Sequence, residues 1–368
     1  VLCASAAKKC SAGTVKNIAD TGGINMLESV FKHKNPVFIA EIGLNHNGSF
    51  AQAYEMIMRA AESGADAVKF QTFNPELMNS PYTRSLMEKG DMSFQDRGVI
   101  DFLSKFTLEK DEYLKLKERA TASGVEFFSA PFDAQSVDLL EYTGVKLYKV
   151  ASSEVTNIPL LRRIAHTRKP VIMSTGMASE DEIAAAVHTL KDSGSTEICL
   201  LHCVSLYPMS TDEANLLRIV TLRERFGLHT GLSDHSTGYE TVSAAAILGA
   251  RLFEKHFKLG DDHECPDAEV SLTPAAFKAM TVKVNEAVSM LGTGEIAYGR
   301  REAGTALAAK RSLFASSDIK KGDVIDEKSL VALRPGTGIS AAMFYSVTGK
   351  KALRDIQSGA LIKPEDYE

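Results

Sequence analysis

Eight short, strongly apolar runs punctuate this chain and constrain its fold more than any other feature: Val37–Ile42, Ala67–Gln71, Glu126–Ser129, Leu147–Ala151, Val171–Ser174, Ile198–His202, His229–Ser233 and Arg251–His256. Each is too short for a stable helix and reads as a strand buried on both faces. Stretches rich in alanine, leucine and charge lie between several of them (Ala51–Ser63, Leu108–Ser123, Ser179–Ser193, Thr241–Leu248), and Gly64, Gly124 and Gly194 stand where helices would end. Strands spaced mostly about 20 to 30 residues apart, with helices between them, predict an α/β fold of the (β/α)8 TIM-barrel type, about 250 residues in size. The 368 residues leave room for a small companion domain.

The alternation breaks at Gly292-Thr-Gly294 and Tyr298-Gly-Arg-Arg301. The expected division is an N-terminal extension over 1–34, a barrel over 35–290, a linker over 291–308 and a short-stranded domain over 309–368. That last segment repeats itself, because Asp318–Ile325 and Asp355–Ile362 share the pattern D-I-x-x-G-x-x-I, as two strand-turn units of a pseudo-symmetric β domain would. The long interval between the second and third runs holds Asn79–Arg84 and Glu88–Phe94, a lid or a loosely ordered insertion.

Composition removes several function classes. A net charge of -5 with 24% charged residues carries no nucleic-acid signature, so any anionic substrate must be held by local lysines or arginines. No run approaches the length of a membrane span, and Val1–Ala7 is too short for a signal-peptide core. A cytoplasmic protein with neither membrane nor nucleic-acid partners is expected. The five cysteines include no Cys-x-x-Cys and are expected to be free thiols.

In a barrel of this type the active site forms at the carboxyl ends of the strands, and here those ends are polar. The seventh and eighth runs close on His235 and His256, each beside a carboxylate, Asp234 or Glu254, able to orient a ring; the pair reads as metal ligands. Lys69 and Lys149 interrupt apolar runs, which is costly unless each ammonium meets an anion. They would hold a phosphate or carboxylate, helped by the hydroxyls of Ser129, Ser152 and Ser233, or pair internally with Glu41 or Glu154. A Schiff-base lysine is the rival chemistry. Glu41 is a general base and substrate anchor, or a lysine's partner. His46, past its strand end, ranks below the other two histidines as a ligand. His202 and Cys203 read as core residues, Asp261–Glu264 as a solvated turn, and Asp267 is placed to reach a sugar hydroxyl.

Taken in order, Ile39–Gly48, Ala67–Thr72, Tyr148–Ser152, Ser174–Met177, His202–Pro208, Gly231–His235, Glu254–Phe257 and Arg334-Pro-Gly336 resemble the motifs of the sialic acid (nonulosonate) synthases. The resemblance spans about residues 36 to 368. It implies a barrel followed by an antifreeze-like (SAF, β-clip) domain, and condensation of phosphoenolpyruvate with an open-chain N-acetylated hexosamine, N-acetylmannosamine or a relative, to a nine-carbon 2-keto acid and phosphate. It further implies Mn2+ or Mg2+ on His235 and His256. Glu41, Lys69, Lys149 and Glu254 would be catalytic; Gln71, Ser129, Ser152, Ser205, Tyr207, Ser233, Asp267 and Arg334 would bind substrates. Arg334 would act from the partner chain of a domain-swapped homodimer. Two departures bear on substrate: Ala130 lacks a hydroxyl that several members carry, and Ala151-Ser-Ser-Glu154 differs from a common Gly-Ser-Gly-Glu. Pseudaminic, legionaminic and spore-coat polysaccharide synthases are the alternatives within the family, and a non-catalytic sugar-binding barrel is the alternative outside it.

Overall fold

Eight parallel strands wrap into a barrel in the order β3-β2-β1-β8-β7-β6-β5-β4: β1 Val37–Gly43, β2 Ala67–Thr72, β3 Glu126–Pro131, β4 Tyr148–Val150, β5 Val171–Ser174, β6 Ile198–Cys203, β7 His229–Asp234 and β8 Leu252–His256. The computed structural model describes residues 35–80, 82 and 99–368, so the extension 1–34 and the Glu88–Phe94 segment lie outside the described residues. The chain divides into two units between Gly292 and Thr293. Among the described residues no helix is long and apolar enough to cross a membrane.

The barrel helices are α1 Phe50–Glu62, α2 Lys110–Ala122, α3 Ala134–Thr143, α4 Ile158–Ala165, α5 Glu180–Asp192, α6 Arg218–Phe226, α7 Glu240–Ile247 and α8 Pro274–Met290. Side chains cap several of their first turns: Ser49 on α1, Asp133 on α3, Asn157 on α4, and Ser179 with Glu182 in a reciprocal box on α5. The sequence pattern did not mark α3, α4, α6 or α8, three of which are short.

Strand parity organises the interior. One face of each strand packs against the helices, while the other points into the lumen, where Val37, Ile39, Ala67, Phe128, Leu147, Ile172, Cys199, Leu201 and Leu252 form a separate apolar plug. Two or four residues further along the same parity the lumen becomes polar, with Glu41, Lys69, Lys149, Ser174, Ser233 and Glu254. A dry floor thus lies under a charged mouth.

In the second unit β9 (Ser312–Ala315) pairs antiparallel with β10 (Leu330–Leu333). The internal repeat pairs with itself: Ile319 and Ile356, equivalent in the two copies, exchange backbone hydrogen bonds of 2.8 Å in both directions. The equivalent Gly322 and Gly359 both turn through the left-handed region, at φ 93° and 80°, and Ile325 and Ile362 are both fully buried.

Candidate active site

The carboxyl ends of the strands open on a cavity of about 370 Å3, within the usual range for a small-molecule site. Its wall brings together Glu41, Lys69, Gln71, Lys149, Ser152, Ser205, Tyr207, Ser233, His235, Glu254 and His256. Two lysines and two glutamates form its floor, each side chain no more than 5% exposed. Lys69 Nζ lies 2.8 Å from Glu41 Oε2 and 3.8 Å from Glu254 Oε2; Lys149 Nζ lies 3.6 Å from Glu254 Oε1 and donates to Ser174 Oγ at 2.6 Å. Ser233 Oγ donates to Glu254 Oε1 at 2.8 Å, and Gln71 Nε2 to Glu41 Oε1 at 3.3 Å.

The two lysines differ in electrostatics. Burial works against the charge on both, but at Lys69 the carboxylates of Glu254 and Glu41 outweigh it and raise the pKa. At Lys149 burial prevails over Glu254, with Lys69 adding repulsion, and the pKa is lowered. Glu254 is held well below the usual carboxylate range: burial would raise it, yet Lys149, Lys69, the Ser233 hydroxyl and His256 together prevail. Lys69 is closely paired with Glu41, whereas Lys149 pairs with Glu254 at 3.6 Å and shares it with Lys69, so Lys149 is the less neutralised of the two groups that an incoming anion meets.

The imidazoles of His235 and His256 sit 5.3 Å apart, centroid to centroid. Tyr207 stacks on His235 at 4.0 Å and meets His256 edge-on at 5.8 Å. His235 Nδ1 lies 2.8 Å from Val204 O, a contact that requires a proton there and so leaves Nε2 as the nitrogen that could face a ligand. His256 Nδ1 is 3.3 Å from Asp267 Oδ2. One ring bonded at Nδ1 to a carbonyl and a second with a carboxylate 3.3 Å from Nδ1 suit imidazole ligation of a divalent ion, so the donor set fits one. Among the described residues no group of three or more His, Cys, Asp or Glu is arranged to hold a metal, so any divalent ion here would have these two rings as its protein ligands.

The NeuB family model matches residues 56–296, and a SAF domain model matches residues 310–368. The chain belongs to the NeuB family. N,N'-diacetyllegionaminic acid synthase of Campylobacter jejuni is 36% identical over 332 residues, which are 90% of this chain and 99% of that protein. A pseudaminic acid synthase of the same species is 34% identical over 336 residues, 91% of this chain and 97% of that one. Among solved structures, the N-acetylneuraminic acid (sialic acid) synthetase of Leptospira borgpetersenii superposes with a TM-score of 0.66 at 35% identity, covering 74% of this chain and 90% of that one. The protein is thus an enzyme, a NeuB-family synthase of carbohydrate biosynthesis with a TIM barrel and a SAF domain.

Several sequence expectations need correction in this NeuB-family barrel. Neither carboxylate adjoining the histidines orients a ring. Asp234 is one residue from His235, so it points to the other side of the strand and binds Lys255 at 2.5 Å, while Glu254 shares the lumen face with His256 but turns to the lysines. Lys149 pairs with Glu254 rather than Glu154, whose carboxylate lies past the strand end in the turn Ser152–Glu154 and accepts from Ser153 and Asn157. Ser129 does not face the cavity: it has the outward parity, hydrogen-bonds to Thr72 Oγ1 at 2.6 Å, and leaves Ala130 on the wall. Asp267 backs His256 and is absent from the cavity wall. His46 is buried against Phe70, accepts from Gly48 N at 3.1 Å and is pushed down by burial to about 4; it does not line the cavity. His202 is a core residue, its Nε2 2.7 Å from Ala214 O. Arg334 is exposed at the end of β10 in the second unit.

One wall residue was missed. Cys203 read as core, yet it continues the lumen parity of Cys199 and Leu201, and its Sγ lies 3.9 Å from His235 Nδ1. Parity was the available signal. Gly176, within the Ser174–Met177 motif, packs so closely behind two wall serines that an added Cβ would fall 2.4 Å from Ser205 Oγ and 2.9 Å from Ser152 Oγ, to which its N–H donates at 3.0 Å.

Proposed function

We propose that this enzyme condenses phosphoenolpyruvate with the open-chain aldehyde of an N-acetylated amino sugar, with addition of water, to give a nine-carbon 2-keto acid and inorganic phosphate. The observation that carries the reading is two buried lysines at one barrel mouth, Lys69 2.8 Å from Glu41 and Lys149 held by the shared Glu254 at 3.6 Å and the Ser174 hydroxyl at 2.6 Å, opposite two imidazoles. Lys69 and Lys149 bind the phosphate and carboxylate of phosphoenolpyruvate, with Ser152 and Ser233 as further donors. Gln71, Ser205 and Tyr207 hold the sugar. Glu41, beside Lys69, accepts the proton of the water that adds to the former enol carbon, and phosphate leaves by C–O cleavage. A Mn2+ or Mg2+ ion held by His235 and His256 would supply Lewis-acid polarisation of the aldehyde oxygen. Arg334, with its planar donors, binds the acetamido carbonyl in the site of the partner chain, making the working unit a domain-swapped homodimer.

The legionaminic relative, whose name specifies two acetyl groups, favours a second reading in which the acceptor carries two acetamido groups. Mass spectrometry separates the two: the enzyme is incubated with phosphoenolpyruvate and either N-acetylmannosamine, its 6-phosphate or a 2,4-diacetamido hexose, and phosphate release is followed in parallel. One acceptor is expected to give the condensed keto acid with equimolar phosphate. Absence of condensation with every acceptor would sink the proposal. For Arg334, a His235→Ala, Arg334→Ala double variant is mixed with wild type under subunit exchange. Action across the dimer lowers specific activity below simple dilution, whereas activity that falls only by dilution rules it out.

A further inference from the structure

A second cavity, of about 350 Å3, lies at the opposite end of the barrel, where β6, β7 and β8 begin. Its wall contains Arg223, in the last turn of α6, Arg251, the residue before β8, and Thr230 of β7. No carboxylate lines it, and among the described residues neither arginine has an ion-pair partner.

Part of each guanidinium is already engaged. Arg223 Nη1 donates to Leu248 O at 2.9 Å, and Arg251 Nη1 donates to Ala246 O and Ala250 O at 2.9 and 2.7 Å. These carbonyls belong to the end of α7 and the loop after it, so helix capping accounts for one nitrogen of each fork. It does not account for two like charges beside one cavity. Burial and then Arg223 lower the pKa of Arg251, and no acid offsets either effect. Cys199, on the same wall, is pushed up by burial to about 12 and contributes no negative charge.

Thr230 supplies the independent observation. Its residue is 5% exposed, it lines the cavity, and its Oγ1 has no hydrogen-bond partner. An orphaned buried hydroxyl is destabilising, and neither packing nor capping explains it here. We infer that the cavity is a binding site for a small phosphate-type oxyanion, free or carried on a small metabolite, gripped by Arg223 and Arg251 and completed by the Thr230 hydroxyl. Guanidinium groups already fixed at one nitrogen present their remaining donors in a rigid fork suited to a tetrahedral oxyanion. The space exceeds a single phosphate and accommodates a short organic body. The site is distinct from the barrel mouth, although the β7 and β8 that border it lead at their far ends to His235 and His256.

The test is calorimetric titration of the full chain at constant ionic strength with inorganic phosphate and with glycerol 3-phosphate. Wild type is compared with Arg251→Met, Thr230→Val and, to weaken binding at the mouth, Lys149→Met. Lys149→Met is expected to retain one phosphate site. Arg251→Met should weaken that site at least about tenfold, and Thr230→Val about fivefold, the factor for loss of one hydrogen bond. Thr230→Val should also raise Tm in the absence of ligand, because it removes the orphan. Tighter binding of glycerol 3-phosphate than of phosphate identifies a phosphomonoester as the ligand; the reverse identifies free phosphate. Isotherms that neither Arg251→Met nor Thr230→Val changes would overturn the site. If Arg251→Met does not fold, Thr230→Val, which deletes only a hydroxyl, decides alone. The differences between wild type and these two variants do not depend on what the barrel mouth binds.

Discussion

Two buried lysine–carboxylate clusters stand back to back on β7 and β8, and they are built to different ends. On the outer face, Lys255 and Asp234 are fully enclosed by protein; Lys255 Nζ contacts Asp234 Oδ2 and Ser236 O at 2.5 Å, while Thr241 and Ser236 hydroxyls donate to the two Asp234 oxygens at 2.7 Å each. Every charged atom there is matched. On the lumen face, one carboxylate of Glu254 serves two lysines at 3.6 and 3.8 Å, its Oε2 accepts no hydrogen bond, and the whole group borders a cavity. A saturated pair is structural, whereas an unsaturated one keeps capacity for a ligand.

The comparison predicts that the two faces fail in different observables. The largest effect belongs to the lumen histidines: His256→Ala or His235→Ala should lower turnover by more than about a hundredfold, beyond the 10–100-fold typical for a residue that only supports a ligand, with circular dichroism and Tm nearly unchanged. Chelation should act likewise and be reversed by Mn2+ or Mg2+. Full activity in metal-free enzyme would remove the Lewis-acid role.

On the outer face, Asp234→Leu leaves Lys255 buried without its partner and should cost about 3–5 kcal/mol in denaturant unfolding. Asp234→Leu combined with Lys255→Met should recover most of that loss. If the double variant were as unstable as the single one, the cluster would be more than a matched pair.

Lys149→Met should raise the KM for phosphoenolpyruvate roughly ten- to a hundredfold, the equivalent of one charge-assisted hydrogen bond, and change stability much less than Asp234→Leu does. Unchanged phosphoenolpyruvate binding with a large loss of stability would make the two clusters alike.

The smallest effect is in pH dependence. Because the folded-state pKa of Glu254 is depressed, its contribution to stability is complete above the ordinary glutamate range and drains away as pH falls through the folded value. Glu254→Gln should therefore flatten the acid limb of the stability profile while leaving its slope between pH about 6 and 8 unaltered. An unchanged acid limb would show that the lysines do not hold Glu254 ionised.

Much of the molecule is legible in the residues themselves. The eight runs predict the eight strands to within one or two residues at each end, because strands covered on both faces must be apolar and short. Parity along each run then separates Glu41, Lys69, Lys149, Ser233 and Glu254 from their outward neighbours, since successive side chains alternate whatever the partners are. The same rule, applied to Cys203, Ser129 and Asp234, would have placed the first on the wall and the other two off it.

Partnership was decided only by the way the barrel curls. Glu254 on β8 reaches Lys69 on β2 and Lys149 on β4, neither of which pairs with β8 in the sheet, because the lumen is narrow enough for side chains to meet across it. Asp267 lies 11 residues beyond His256 and backs its ring only because the loop after β8 folds over the mouth. The cavity at Thr230, Arg223 and Arg251 likewise joins the starts of two strands and the end of a helix. A run of residues dictates which face each side chain takes, through local backbone geometry; what that side chain meets across a barrel depends on strand number, tilt and register, which no single segment carries.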